Sequence, residues 1–147
     1  MHIPDGYLGP HTYIAFWVIT IMIWYYAEQK LSTELKSKQV PLLTLSAAVS
    51  FVIMMFNTPV PGGSTGYAVG DGIIAIVIGP LAAIITISVT LVLQAMIFGD
   101  GGITAITTNC FNMGIVVLFV AYYAYKLMSR NSEITSSTRV IAVAIAG

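Results

Sequence analysis

The sequence predicts an all-α fold, a polytopic bundle of membrane helices, and three observations carry that expectation. Hydrophobic residues fill 57% of the 147 positions and charged residues only 8%, with a mean hydropathy of +0.88. A soluble domain carries roughly 25% charged residues. The apolar stretches are interrupted by Gly/Pro clusters and short charged runs at spacings suited to a hydrocarbon layer ~30 Å thick. The whole of 1–147 reads as a single integral membrane domain.

Taken in order, Thr12 to Glu28 is apolar and aromatic, with Trp17, Trp24, Tyr25 and Tyr26 suited to membrane interfaces. It is the first expected helix. Gln29 to Gln39 holds Lys30, Glu34, Lys36 and Lys38 and reads as a solvated loop, followed by a second helix over Val40 to Phe56. Asn57 to Gly66 is too rich in breakers to be helical. The run from Tyr67 to Phe98 would be about 48 Å long as one helix, beyond what the bilayer needs. Gly79-Pro80 lies inside it and removes a backbone donor, so a short helix to Ile78 and a longer one from Pro80 are expected. Gly99 to Gly102 turns the chain, a further helix covers Ile103 to Leu127, and Met128 to Thr138 is polar. Val140 to Gly147 reads as the opening of another apolar segment in a truncated chain. No basic region precedes the first apolar stretch, so the start is not read as a signal peptide.

Charge placement agrees with a break at Gly79-Pro80. With it, Lys30, Lys36 and Lys38 share a side with Lys126, Arg130 and Arg139, which the positive-inside rule makes cytoplasmic. The N-terminus, the glycine-rich loop and the Gly99–Gly102 turn then lie outside, with His2, Asp5, His11, Asp71 and Asp100 and no lysine or arginine. Six basic residues balance six acidic ones, which argues against nucleic acid as a partner. Cys110 is the only cysteine and reads as a small buried hydrophobe, excluding a disulfide framework or thiolate cluster.

The first residues carry the most chemistry. Met1 and His2 offer an α-amine, a backbone nitrogen and the imidazole Nδ1, which can close two fused chelate rings on one ion. A planar nitrogen set suits Ni(II) or Cu(II), and amine and imidazole nitrogens also suit cobalt and zinc. Histidine is too large a second residue for efficient methionine removal, so the amine stays on Met1. Pro4-Asp5-Gly6 reads as a tight turn, with proline at its first central position, that folds the terminus back. A frayed terminal histidine is the plainer alternative.

Other polar residues are read structurally. Gln94, Asn109 and Asn112 are expected to point into the bundle and bond between helices. Gly66 and Gly70 have the spacing of close helix packing, and Asp71 sits where a helix dipole favours a carboxylate. A proton relay through Asp71 is the alternative. The glycine-rich loop lacks a Gly-Lys-Ser/Thr ending and holds no phosphate. No nucleophile–base or paired-carboxylate set suggests catalysis.

Five motifs occur in order: MHIPDGYLGP, PVPGGSTGYAVGDG, the GP at Gly79-Pro80, FGDGG at Phe98–Gly102 and FNMG at Phe111–Gly114. Together they resemble the CbiM/NikM family, the metal-capturing substrate components of energy-coupling-factor (ECF) transporters for cobalt and nickel. The resemblance implies an external N-terminus threaded into the bundle, with Ni2+ or Co2+ as transported ligand and no cofactor. It implies coordination by the Met1 amine, the His2 backbone nitrogen and the His2 imidazole. It also implies a CbiQ/NikQ-type transmembrane coupling subunit and an ABC ATPase pair that hydrolyses ATP, and allows a small accessory membrane subunit. The chain itself is then a transport component and no enzyme, and it lacks the family's C-terminal helices.

One departure concerns the site. The family's loop resembles GGTSGH, whose histidine gives a fourth nitrogen, whereas this chain has Tyr67 there. A neutral phenol is a poor donor for nickel, so water or, less readily, His11 is left for the fourth place. PDGYL, FGDGG and FNMG lean towards the nickel-type members. A degenerate, non-transporting membrane subunit with an assembly or regulatory role is the alternative reading.

Overall fold

A computed structural model describes residues 2–34, 39–61, 64–66, 68, 70–130 and 137–146. Helix α1 spans Pro10–Glu34, α2 Val40–Met54, α3 Asp71–Ile78 and α4 Pro80–Leu93, which runs on as a π-helical turn over Gln94–Phe98. Helix α5 covers Ile106–Phe111 and passes through a second π-helical stretch, Asn112–Val117, into α6 at Leu118–Met128. Helix α7 is Ser137–Ala146. Between α2 and α3, β1 (Thr58–Val60) and β2 (Ser64–Gly66) form an antiparallel hairpin with Thr58 opposite Gly66.

The sequence explains most of these limits. Proline in the first turn opens both α2 and α4, where a missing backbone N–H leaves nothing unsatisfied. Gly79 separates α3 from α4 at φ 87°, ψ 155°, a conformation essentially confined to glycine. Two continuous segments, Pro80–Phe98 and Ile106–Met128, are long and apolar enough to cross a membrane.

Helix α4 is the central element and packs against α1, α2, α3, α5 and α6. Ile84, Ile87 and Leu91 on α4 are buried with Ile74 and Ala75 of α3, Cys110 of α5 and Leu118 of α6. Burying each large aliphatic side chain contributes about 1.5–3 kcal/mol relative to exposure. The outward faces of α1 and α2 stay apolar, with Ile14, Val18, Met22, Val49 and Val52 exposed, as expected of helices facing lipid.

Hydrogen bonds set the helix directions. Trp17 Nε1 donates to Thr104 O at 3.2 Å and Thr20 Oγ1 to Thr107 O at 3.2 Å. An equal step along both segments means that α1 and α5 run parallel. Thr90 Oγ1 donates to Ala47 O at 3.2 Å, and the rings of Phe51 and Phe98 lie 5.3 Å apart, so α2 and α4 are also parallel. The N-terminal segment and the Gly99–Gly102 turn therefore share one end of the bundle. Lys30, Lys126, Arg130 and Arg139 lie towards the other, the last three around one cavity. Lys36 and Lys38 fall outside the described residues.

Several expectations need correction. The 29–39 loop begins later, because α1 continues to Glu34. The short helix starts at Asp71 and not Tyr67, since Gly70 takes φ 72° just before it. Gly66 and Gly70 are not on a helix: one ends a hairpin and the other caps α3. Asn112 is exposed, whereas Gln94 and Asn109 are buried as expected. Asn112 is the residue at which α5 passes into the π-helical stretch. Asp71 is 1% exposed within the bundle and does not belong to the end face. Trp24 donates its Nε1 to Ser88 Oγ at 2.8 Å inside the bundle, instead of anchoring at an interface.

The α3–α4 break gives a first prediction. A Cβ at Gly79 would meet nothing within 4 Å, so Gly79→Ala changes only backbone strain. It is expected to lower stability by about 1–3 kcal/mol, read as a lower Tm in detergent. An unchanged Tm would show that α3 and α4 tolerate a different junction.

Candidate functional site

The site is built where residues 2–5 meet the loop between α4 and α5. After Gln94–Phe98, Asp100 N donates to Gln94 O at 3.2 Å, and Gly99 (φ 65°) and Gly101 (φ 108°) reverse the chain. The N-terminal segment lies against this reversal. Ile3 N donates to Asn109 Oδ1 at 2.9 Å, and Asn109 Nδ2 donates back to Ile3 O at 3.2 Å. Gly102 N also donates to Ile3 O, at 2.9 Å. One asparagine side chain thus satisfies both backbone groups of Ile3, as a β-ladder partner would.

Asp5 locks the next step. Its carboxylate accepts from Ile103 N at 3.0 Å, Thr104 N at 2.9 Å and Thr104 Oγ1 at 2.5 Å. The hydroxyl and backbone of Thr104, with Ile103 N–H, hold the Asp5 carboxyl below the usual carboxylate range, against a smaller opposing effect of desolvation. The bend falls one residue later than expected, with Asp5 and Gly6 in the turn and Gly6 at φ 87°.

These contacts deliver His2 to the Gly99–Gly102 loop. Its side chain is 2% exposed, and Nδ1 stands 3.0 Å from Asp100 Oδ1, whose side chain is 36% exposed. The approach requires glycine on the loop. A Cβ on Gly101 would lie 3.0 Å from His2 Cβ, and one on Gly102 would sit 2.6 Å from Asp5 Oδ1 and 2.7 Å from the Pro4 carbonyl carbon.

Of the residues singled out for metal, His2 is therefore buried at the loop, while Met1 and Tyr67 lie outside the described residues. His11 is exposed on the first turn of α1. Asp71 has no hydrogen-bond partner for either carboxylate oxygen among the described residues. No group of three His, Cys, Asp or Glu side chains converges among the described residues. Sequence reasoning missed the Asn109–Ile3 pairing and the approach of Asp100 to His2. The available signal was an asparagine early in a membrane helix, following a Gly-Asp-Gly-Gly run.

The docked segment gives a second prediction. Gly102→Ala forces Pro4–Asp5 off the loop, and is expected to destabilise by about 1–3 kcal/mol and to expose the terminus to added aminopeptidase. Asp5→Asn is expected to loosen the same segment at neutral pH. Because the folded carboxyl is held low, its contribution is complete above the ordinary carboxylate range and is lost only as pH falls below it. Equal protease resistance of wild type and both variants at pH 7 would show that the segment is not held by these contacts.

Residues 2–147 match the CbiM family, described as the cobalt uptake substrate-specific transmembrane region. The chain is 50% identical over 146 residues to a fused nickel transport protein NikMN of Rhodobacter capsulatus, covering 99% of this chain and 42% of that protein. It is 53% identical over 129 residues to a putative metal transport protein of Methanocaldococcus jannaschii, covering 87% and 58% respectively. The chain thus spans about half the length of these relatives. A crystal structure described as that of a transition metal transporter is similar at a TM-score of 0.90 and 39% identity, covering 100% of this chain and 63% of that one. By sequence over almost its full length, and by fold, the chain belongs to the CbiM family of membrane proteins.

Proposed function

We propose that the chain is the substrate-binding membrane component of an ECF-type transporter importing Ni2+ or Co2+, with the ion chelated at the free N-terminus. The observation that carries this reading is the threading of residues 2–5 through the loop, which holds the His2 imidazole 2% exposed beside Asp100. Nothing in helix packing calls for a terminus to be seated so closely. A terminal chelate does call for it, because the amine, the His2 backbone nitrogen and Nδ1 are consecutive groups on one short chain.

In this reading the incoming dication displaces protons from the Met1 amine and the His2 amide, and takes the Nδ1 lone pair. The resulting fused rings set three donors in one plane, an arrangement that favours Ni(II). Ile3 to Asp5 act as the anchor: their bonds to Asn109, Gly102, Ile103 and Thr104 hold the stretch that follows His2. Tyr67 occupies the sequence position of the family's fourth nitrogen donor and lies outside the described residues. ATP hydrolysis belongs to a separate ATPase pair, acting through a CbiQ/NikQ-type coupling subunit, and a small accessory membrane subunit is compatible with the assembly. Similarity to a fused nickel transport protein supports nickel.

Orientation follows from charge. The end with Lys30, Lys126, Arg130 and Arg139 is assigned to the cytoplasm and the end with His2 to the exterior. An arriving cation then meets Asp5 and Asp100 before any fixed positive charge among the described residues. Single cysteines introduced into the 29–39 and 128–138 regions of a Cys110-free chain are expected to resist an impermeant thiol reagent applied to intact cells. One in the 99–102 turn is expected to react. Labelling of the 29–39 region from outside would reverse the assignment.

The central test is chemical. One residue added before Met1 moves the amine out of chelating range without touching any helix. The extended protein, expressed at the normal level, is expected to lose radioactive nickel or cobalt uptake, and His2→Ala to do the same. Full uptake by the extended form would move the transport site away from the terminus. Absence of metal binding by the unmodified protein would favour a degenerate subunit instead.

A further inference from the structure

Resting on the terminal chelate proposed above, we infer that Asp100 Oδ1 is the fourth donor to the ion, in a chain whose residue 67 is tyrosine. A chelate of amine, adjacent amide nitrogen and imidazole fills three corners of a square, with the amide between the other two. The remaining corner is therefore next to Nδ1. Two donors at right angles, each about 2.0–2.1 Å from one ion, lie about 2.9 Å apart. His2 Nδ1 and Asp100 Oδ1 are 3.0 Å apart. The carboxylate already stands at the spacing that the empty corner requires.

Backbone geometry, and not a pair of long side chains, sets that spacing. Asp100 is held between Gly99 (φ 65°) and Gly101 (φ 108°), with its own N–H bound to Gln94 O at 3.2 Å. On the other side, His2 Cβ lies where a Cβ on Gly101 would be only 3.0 Å away. The two side chains therefore leave adjoining stretches of backbone and meet at their tips. Their exposures differ in a useful sense: the imidazole is closed off at 2% and the carboxylate is open at 36%. Asp100 can thus meet a hydrated ion first and hand it inwards to the nitrogens without leaving the complex.

Charge balance favours the same donor. A dication bound by a deprotonated amide keeps one net positive charge beside an apolar bundle. A carboxylate in the fourth corner brings the complex to neutrality, whereas water, a neutral imidazole or a phenol does not. A neutral complex avoids an unpaired charge at the point where the ion leaves water.

Ni(II) titration of the purified chain, by calorimetry together with visible absorption, tests the assignment. Asp100→Asn is expected to weaken Ni(II) binding by at least about tenfold and to shift the visible band, because one donor atom changes. Tyr67→His offers an imidazole for the same corner, so its band is expected to move to shorter wavelength. Asp100→Asn added to that background is expected to have a much smaller effect. Circular dichroism and Tm of each variant separate loss of a donor from loss of fold. Unchanged affinity and spectrum in Asp100→Asn, with binding abolished in His2→Ala, would overturn the role of Asp100 and leave the terminal chelate standing. Weaker binding with an unchanged spectrum in Asp100→Asn would also overturn it, reducing Asp100 to a nearby charge. Ni(II) binding that survives His2→Ala would remove the terminal chelate and this inference with it.

Discussion

The pairing of Asn109 with the backbone of Ile3 is the constraint on which the site depends. An asparagine side chain in a membrane helix is costly unless both ends of its amide find partners. Here the partners are the N–H and C=O of a terminal segment. The same exchange satisfies backbone groups that would otherwise enter the bundle unpaired. Each side thus needs the other, and the register between them places His2, one residue before Ile3, at the loop. Moving the pairing by one residue would point a different side chain at Asp100.

Glycine makes that register reachable. Gly101 and Gly102 are approached so closely by His2, Pro4 and Asp5 that the space for a Cβ is already filled. The π-helical turn at Gln94–Phe98 sets where this loop begins, and the second one, at Asn112–Val117, follows directly after α5. Departures from regular helix of this kind often accompany functional sites. In this protein they flank the one place where the chain must turn sharply and still leave room for a strand-like segment.

Much of the fold was legible because membranes restrict the choices. Gly79-Pro80 announced the α3–α4 break, and charge placement agreed with the end that Lys30, Lys126, Arg130 and Arg139 share. Legibility failed where tertiary packing decides. Nothing local marks Asn112 as exposed and Asn109 as buried, since both are asparagines three residues apart on one helical segment. The spacing of Gly66 and Gly70 looked helical, but a hairpin and a left-handed cap use the same residue for different reasons. At the site, Met1 and His2 could be proposed as a donor set from sequence because their chemistry is local. The approach of Asp100 was not, since it joins residues 98 positions apart.

Docking the terminus also bears on how tightly so short a chelate can hold an ion. A free terminal dipeptide must give up backbone and side-chain freedom when it wraps a metal, at about 1–2 kcal/mol for each ordered residue backbone. In this protein residues 3 to 5 are ordered before the ion arrives, by hydrogen bonds that involve no metal ligand of the proposed terminal set. Part of the ordering cost of the proposed chelate is therefore met during folding, which would raise its affinity for an ion. The same arrangement suits release. Displacing the segment by one contact, for example at Gly102, would withdraw the donors of the proposed chelate together, so a small shift at this loop would change its metal affinity more than the loss of any one bond would suggest.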